Sequence, residues 1–162
     1  MSKVLVPGSF DPMTLGHIEI IKRCSAIFDK VVVMVGYNEN KKGLLTADQR
    51  LRFACDALKD LPNVEVVVFG GLVTDFAHEN DIDMIVKGIR NEEDLSYESE
   101  MAYVNSDISL QKYGKRTETL FMNSSPEMVY TSSSLVRKLL ALDLPVEKYV
   151  HDPALLNEII TG

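Results

Sequence analysis

The chain has no tryptophan, two cysteines and three histidines among its 162 residues. Cys24 and Cys55 stand far apart, each inside a helical pattern, and read as small apolar side chains of a reduced cytoplasmic protein rather than as a disulfide. His17, His78 and His151 are scattered, with no cysteine at zinc spacing, which argues against a structural zinc. No apolar run approaches the roughly 20 residues of a membrane span. Met1 leads directly into a strand-like run, so no signal or transit peptide is expected. Positive charge is also scarce. Lys and Arg number 17 against 24 Asp and Glu, for a net charge of -7. That balance argues against a general binder of nucleic acid or anionic membranes. An anionic substrate must instead meet a local cluster of cations.

The apolar share is 46% and the charged share 25%, the composition of an ordinary globular protein. The length suits one domain over residues 1–162. Short apolar runs alternate with helical patterns. The strand-like runs are Val4–Val6, Val31–Val35, Val64–Phe69, Met84–Val86 and Thr119–Met122. Between them lie helical stretches over Leu15–Phe28, Thr46–Leu58, Val73–His78 and Glu92–Leu110, with Ser132–Leu142 after the last strand. Strands this apolar predict a parallel sheet covered on both faces. The expected fold is a doubly wound, Rossmann-like α/β domain with five parallel strands. A small helical appendage, capped by Asp152-Pro153, follows Asp143. Ligands of such sheets sit at the carboxyl ends of the strands. The turn at Ser9, the loop Tyr37–Leu45 with Lys41 and Lys42, the segment after Leu72, and Lys87-Gly88-Ile89-Arg90 each follow a strand.

Pro7-Gly8-Ser9-Phe10-Asp11-Pro12-Met13-Thr14-Leu15-Gly16-His17 is the most informative stretch. A strand enters a glycine-bearing turn, and the turn delivers a histidine to the first turn of a helix. Free backbone N–H groups and the positive helix end suit a phosphate chain there. Gly8 and Gly16 present no side chain to block close approach. With Thr14 as N-cap, His17 is the third helical residue. It reads either as a cap or as a donor that follows charge onto a phosphate oxygen. The spacing is neither a dinucleotide fingerprint nor a P-loop. Asp11-Pro12 shapes the turn, Ser9 positions phosphate, and Phe10 is either a wall of the site or a core aromatic. On a helical wheel from Glu92, Leu95, Tyr97, Met101, Ala102, Val104 and Ile108 form an apolar half that also contains Glu98 and Asn105. Two polar groups on a core-facing stripe need partners. Thr131-Ser132-Ser133-Ser134 supplies more hydroxyls than one N-cap needs, which suggests a second anion site.

Gly8-Ser9-Phe10-Asp11-Pro12 with Thr14-Leu15-Gly16-His17 resembles the histidine-glycine-histidine class of nucleotidyltransferases, with Thr14 in place of the first histidine. Lys87-Gly88-Ile89-Arg90, Tyr97-Glu98 with Asn105, and Thr131-Ser132-Ser133-Ser134-Leu135-Val136-Arg137 narrow the resemblance to the bacterial phosphopantetheine adenylyltransferases. That resemblance implies AMP transfer from ATP to 4'-phosphopantetheine, giving dephospho-coenzyme A and pyrophosphate. His17 would stabilise the transition state, aided by Ser9 and Lys41. ATP would be held by Ser9, Phe10, His17, Gly88, Ile89, Arg90, Glu98, Met128, Val129, Tyr130, Thr131, Ser132, Ser133 and Ser134. Phosphopantetheine would meet Ser9, Lys41, Val73 and Lys87, where Lys87 replaces the family's usual arginine. Mg2+ would travel with ATP rather than in a protein cage. The resemblance also implies a homohexamer, with coenzyme A as a feedback ligand. Two rival readings keep the scaffold: a nucleotidyltransferase for nicotinamide mononucleotide or glycerol phosphate, and a non-catalytic nucleotide or coenzyme A sensor.

Overall fold

The computed structural model describes all residues, Met1–Gly162. Five parallel strands form one sheet: β1 (Lys3–Gly8), β2 (Lys30–Gly36), β3 (Val64–Phe69), β4 (Met84–Ile89) and β5 (Glu118–Asn123), in the order β3-β2-β1-β4-β5. The connecting helices are α1 (Leu15–Ile27), α2 (Ala47–Leu58), α3 (Val73–Glu79) and α4 (Glu92–Tyr113). The chain then makes a 3-10 turn at Pro126–Met128 and ends in α5 (Ser133–Ala141) and α6 (Pro153–Thr161). The order reverses at β1, so the crevice between β1 and β4 is the switch point where ligands of such folds bind.

Strand periodicity sorts the core into two layers. Val4, Val6, Val31, Val33, Val35 and Val86 face one cluster, with α1, α2, α5 and α6 packed over them. Leu5, Val32, Met34 and Ile85 face the other, covered by Phe76 and Ala77 of α3 and by Ile82. The first layer is much the larger.

Two expectations are corrected here, and a third is extended. β4 runs on to Ile89, so Lys87 and Gly88 lie within the strand rather than after it; pairing continues through Ile89 opposite Asn123. The apolar half of α4 does not face the core: Leu95, Tyr97, Met101 and Val104 are exposed. The expected small helical appendage is present as α6 and is packed into the domain. Val146, Val150, Leu156 and Ile159 join the larger core, and the Tyr149 carbonyl accepts the Leu15 N–H at 2.9 Å. It therefore closes one free donor at the start of α1.

Leu156, wholly buried, tests that integration. Leu156→Ala is expected to lower the free energy of unfolding by about 2–5 kcal/mol, the cost of a buried leucine truncation. Urea denaturation measures it, and a loss below about 1 kcal/mol would show that α6 is separable.

Candidate active site

Two adjoining cavities open at the carboxyl ends of the strands. The first, about 440 Å³, is bounded by the β1–α1 turn, the end of β4 and the start of α5. The second, about 690 Å³, lies between the 37–45 loop, the Phe69–Val73 segment and α4. They share Pro7, Gly8, Ser9, Lys87, Glu98 and Arg137.

The turn is shaped by local sterics. Phe10 takes a positive φ of 49°, which folds its ring back beneath Gly8. A Cβ on Gly8 would come within 2.9 Å of that ring, so glycine is required there. Gly16 is different: a Cβ would meet nothing closer than 3.5 Å, so the chain itself does not demand glycine. Phe10 is 3% exposed, and its ring meets the His17 ring edge-on at 5.0 Å. It is thus both a core aromatic and a wall of the first cavity.

Thr14 and His17 cap α1 reciprocally. The Thr14 N–H donates to His17 Nδ1 at 3.0 Å, and the His17 N–H donates to Thr14 Oγ1 at 3.4 Å. A backbone donor on Nδ1 leaves the proton of a neutral imidazole on Nε2. Burial, then the charges of Lys87 and Arg90, push the His17 pKa down to about 4. The ring is therefore neutral at physiological pH and offers one N–H to the first cavity, which it lines.

The cations come from several elements. Lys87 Nζ reaches the Pro7 carbonyl and Glu98 Oε1, both at 3.4 Å. Arg90 is gripped in a fork by Asp94, Nε to Oδ2 at 2.9 Å and Nη2 to Oδ1 at 3.1 Å. Asp94, four residues on at the start of α4, is absent from the sequence-derived set; its i, i+4 spacing from Arg90 was the available signal. Arg137, unassigned from the sequence, lines both cavities and has no carboxylate partner. Its Nη1 donates to the Asp11 carbonyl at 2.8 Å and its Nη2 to Ser134 Oγ at 3.2 Å. Lys41 projects from an exposed loop at the second cavity, beside Lys42.

The serines divide the work at α5. Ser132 Oγ caps the helix by accepting the Leu135 N–H at 3.1 Å, while Ser133 Oγ donates to the Pro12 carbonyl at 2.8 Å. The first-turn N–H groups of α5 have no helical acceptor and border the first cavity with Thr131.

Of the residues expected to hold ATP, Ser9, Phe10, His17, Gly88, Arg90, Glu98 and Thr131–Ser134 come together around the first cavity. Ile89, Met128, Val129 and Tyr130 do not line it. Ile89 is buried, and Tyr130 is 86% exposed. The Glu19 carboxylate accepts the Ser125 N–H at 3.0 Å and its hydroxyl at 2.6 Å, anchoring the 3-10 turn before that segment. Ser9, Lys41, Val73 and Lys87 all line the second cavity, whose apolar walls also use Tyr37, Phe69 and Met101. Glu98 and Asn105 face this cavity, not the core. Cys24 is buried and its thiol is pushed up to about 11 by burial, whereas Cys55 is exposed; both are free thiols, as expected.

The profile of the cytidylyltransferase-like family matches residues 5–139. A phosphopantetheine adenylyltransferase of Leuconostoc citreum is 45% identical over 86% of this chain and 84% of its own length. One from Clostridium tetani is 44% identical with the same coverage. A solved structure from Vibrio parahaemolyticus, provisionally named a nicotinate-nucleotide adenylyltransferase, superposes with a TM-score of 0.67 at 18% identity, covering 99% of this chain and 93% of that one. At that identity the likeness is one of fold.

The His17 ring offers a direct test of the electrostatics. Its depressed pKa means that, between about pH 6.5 and 4, the unfolded chain binds a proton that the folded chain refuses. His17 therefore favours unfolding increasingly as pH falls through that window and contributes nothing above it. Two-dimensional nitrogen-proton NMR of the ring is expected to show the Nε2–H tautomer, unchanged down to about pH 5. A midpoint near 6.5 would contradict the geometry.

Proposed function

Because the chain belongs to the cytidylyltransferase-like family, and within it to the phosphopantetheine adenylyltransferases, we propose that its first cavity holds ATP and its second 4'-phosphopantetheine. The reaction forms dephospho-coenzyme A and pyrophosphate, a step of coenzyme A biosynthesis. Residues 1–162 act as one nucleotidyltransferase domain, working in the cytoplasm; no helix is long and apolar enough to cross a membrane. One observation carries the assignment of the cavities: they meet at Gly8, Ser9 and Lys87, where two phosphates must touch for transfer.

An oxygen of the acceptor phosphate attacks the α-phosphorus of ATP in line. The new P–O bond forms as the bond to the β-phosphate oxygen breaks, and pyrophosphate leaves with that electron pair. The attacking phosphate is largely ionised near pH 7, its second pKa being about 6, so no protein base is required. Orientation and charge stabilisation carry the rate. His17 donates Nε2–H to the equatorial oxygens as charge grows there, which a neutral ring can do without first losing a proton. Ser9 orients phosphate at the junction. Lys41 and Lys87 hold the acceptor phosphate, and Arg90, Glu98 and the start of α5 hold the nucleotide. The apolar walls of the second cavity suit the pantetheine arm.

Mg2+ fits this site as an ion held by triphosphate oxygens. The nearby carboxylates are engaged elsewhere: Asp11 and Arg50, Asp94 and Arg90, and Glu98 and Lys87 form ion pairs. When bound, the ion offsets triphosphate charge; the protein's own cations neutralise the rest.

The outward side of α4 and strand β5 supports self-assembly. Leu95, Tyr103, Val104, Leu110, Leu120 and Phe121 are all exposed, Tyr103 by 70%. β5 is the edge of the sheet, and exposed apolar side chains on an edge strand and the helix beside it suit a partner copy. The homohexamer of the family is the proposed state. Coenzyme A, which carries the product's skeleton, is the proposed feedback ligand of the same cavities.

Mixing ATP, Mg2+ and phosphopantetheine is expected to release pyrophosphate and form dephospho-coenzyme A, with nicotinamide mononucleotide, glycerol phosphate and CTP as inactive controls. His17→Ala is expected to lower kcat by roughly 10²–10³, the scale of losing one oxyanion donor, with the fold intact by circular dichroism and only the modest loss of melting temperature that a missing helix cap brings. Near-normal turnover would remove His17 from the mechanism. Sedimentation equilibrium is expected to give a hexamer that Val104→Asp breaks into smaller species; a wild-type monomer at micromolar concentration would sink that assembly.

A further inference from the structure

The loop carrying Lys41 leaves β2 at Gly36 and enters α2 at Thr46. Its tip is exposed, but its neck is closed by a buried ion pair that the reaction does not itself require. Arg50, on the first turns of α2, donates Nε to the Leu45 carbonyl at 3.0 Å and Nη1 to the Gly36 carbonyl at 3.3 Å. One guanidinium therefore ties both ends of the loop. The same Nη1 approaches the Ser9 carbonyl at 3.5 Å. Asp11 completes the knot from the other side. Its carboxylate accepts the Leu44 N–H at 2.9 Å and the Leu45 N–H at 2.8 Å, and lies 3.6 Å from Arg50 Nε. The two side chains are only 8% and 10% exposed.

Closing a loop neck does not call for two buried charges. Burying an ion pair carries a desolvation penalty, and an apolar pair of similar volume often stabilises a fold as well. A planar fork and a bidentate carboxylate do supply direction. Here the direction is specific: the knot joins the turn that holds Ser9 to the loop that holds Lys41.

We propose that Asp11 and Arg50 are a positioning pair that fixes the Lys41 loop against the Ser9 turn, so that the acceptor phosphate is captured in line with the nucleotide. Both side chains border the second cavity, but in this scheme the pair acts through Lys41, with the Ser9 turn as its fixed anchor. This rests on the assignment of the second cavity to phosphopantetheine. Gly43 belongs to the same device. A Cβ there would lie 2.5 Å from Asp11 Oδ2 and 2.6 Å from Arg50 Nη2, so only glycine lets the loop pass over the knot.

Steady-state kinetics with both substrates, calorimetry with ATP alone and thermal melts test the pair. Asp11→Asn and Arg50→Gln are expected to raise KM for phosphopantetheine by about tenfold or more and to lower kcat by about 10- to 100-fold, the scale of a small misplacement. The Kd for ATP is expected to stay within about twofold, since the nucleotide's contacts lie elsewhere. Combined with Lys41→Ala, either variant is expected to add little to the loss from Lys41→Ala alone, because the effects share one route. Gly43→Ala, at an exposed position, is expected to give the same KM shift, and decides the matter alone if the buried variants do not fold. Multiplicative losses in the double variants, or ATP affinity falling as far as acceptor use, would overturn the pairing. A wild-type enzyme that releases no pyrophosphate with phosphopantetheine would instead overturn the reaction assignment.

Discussion

Asp11 is the residue on which the site's geometry converges. Its carboxylate is buried, and a buried carboxylate must be paired or fully hydrogen-bonded. Arg50 from α2 and two backbone N–H groups from the 37–45 loop satisfy it. Its backbone carbonyl accepts Arg137 from α5, and the neighbouring Pro12 carbonyl accepts Ser133 from the same helix. Three segments distant in sequence thus attach to one turn. Removing one partner of such a pair costs about 3–5 kcal/mol, because the other charge is stranded. The sheet brings these segments to the same edge; the turn fixes their mutual distances.

The same arithmetic of charge explains how an acidic protein keeps a cationic site. Lys87, Arg90 and Arg50 each have a carboxylate partner, so their side chains are oriented before any ligand arrives. Lys41, Lys42 and Arg137 do not, and all three border the second cavity. The site therefore combines fixed cations with unpartnered ones. His17 is buried in this positive field: burial first, and then the cost of a third positive charge beside Lys87 and Arg90, disfavours the imidazolium, so the ring stays neutral. A neutral ring with its Nδ1 already occupied has only one proton to offer, and that proton is on the cavity side. The helix cap and the proposed catalytic donor are thus the same residue in one tautomer, and the two readings of His17 do not compete.

Much of this was legible in the chain itself. The apolar runs Val4–Val6 of β1 and Val31–Val35 of β2 are unbroken because both faces of a parallel sheet are covered, and they mark the fold plainly. Thr14 as N-cap fixed His17 at the third helical position, as observed. The convergence of four post-strand segments followed from the parallel topology. What stayed hidden depends on distance across the fold. Nothing local to Arg50 announces Asp11, which lies far away in sequence. Met128, Val129 and Tyr130 were assigned by analogy to the nucleotide pocket, but the segment's path is set by Glu19 gripping Ser125, a contact between α1 and a loop over a hundred residues later. β4 runs past the apolar stretch Met84–Val86 because pairing with β5 holds Lys87, Gly88 and Ile89 extended.

α4 shows why functional helices are hard to read. A core helix shows one apolar stripe because it has one dry side. α4 has two sides that are neither wet nor dry in the usual way. One lines the cavity proposed for a ligand that joins a phosphate to an amide-bearing arm, where Glu98 and Asn105 stand beside Tyr97, Met101 and Ala102. The other, opposite the cavity, leaves Tyr103 and Leu110 exposed. Mixed faces cancel each other's periodicity, so a wheel drawn on the assumption of a single buried stripe points the helix the wrong way. The polar pair within that stripe was the correct warning. Glu98 and Asn105 have no reason to face a hydrocarbon core, and the structure turns them to a cavity where an ion pair and a ligand can use them.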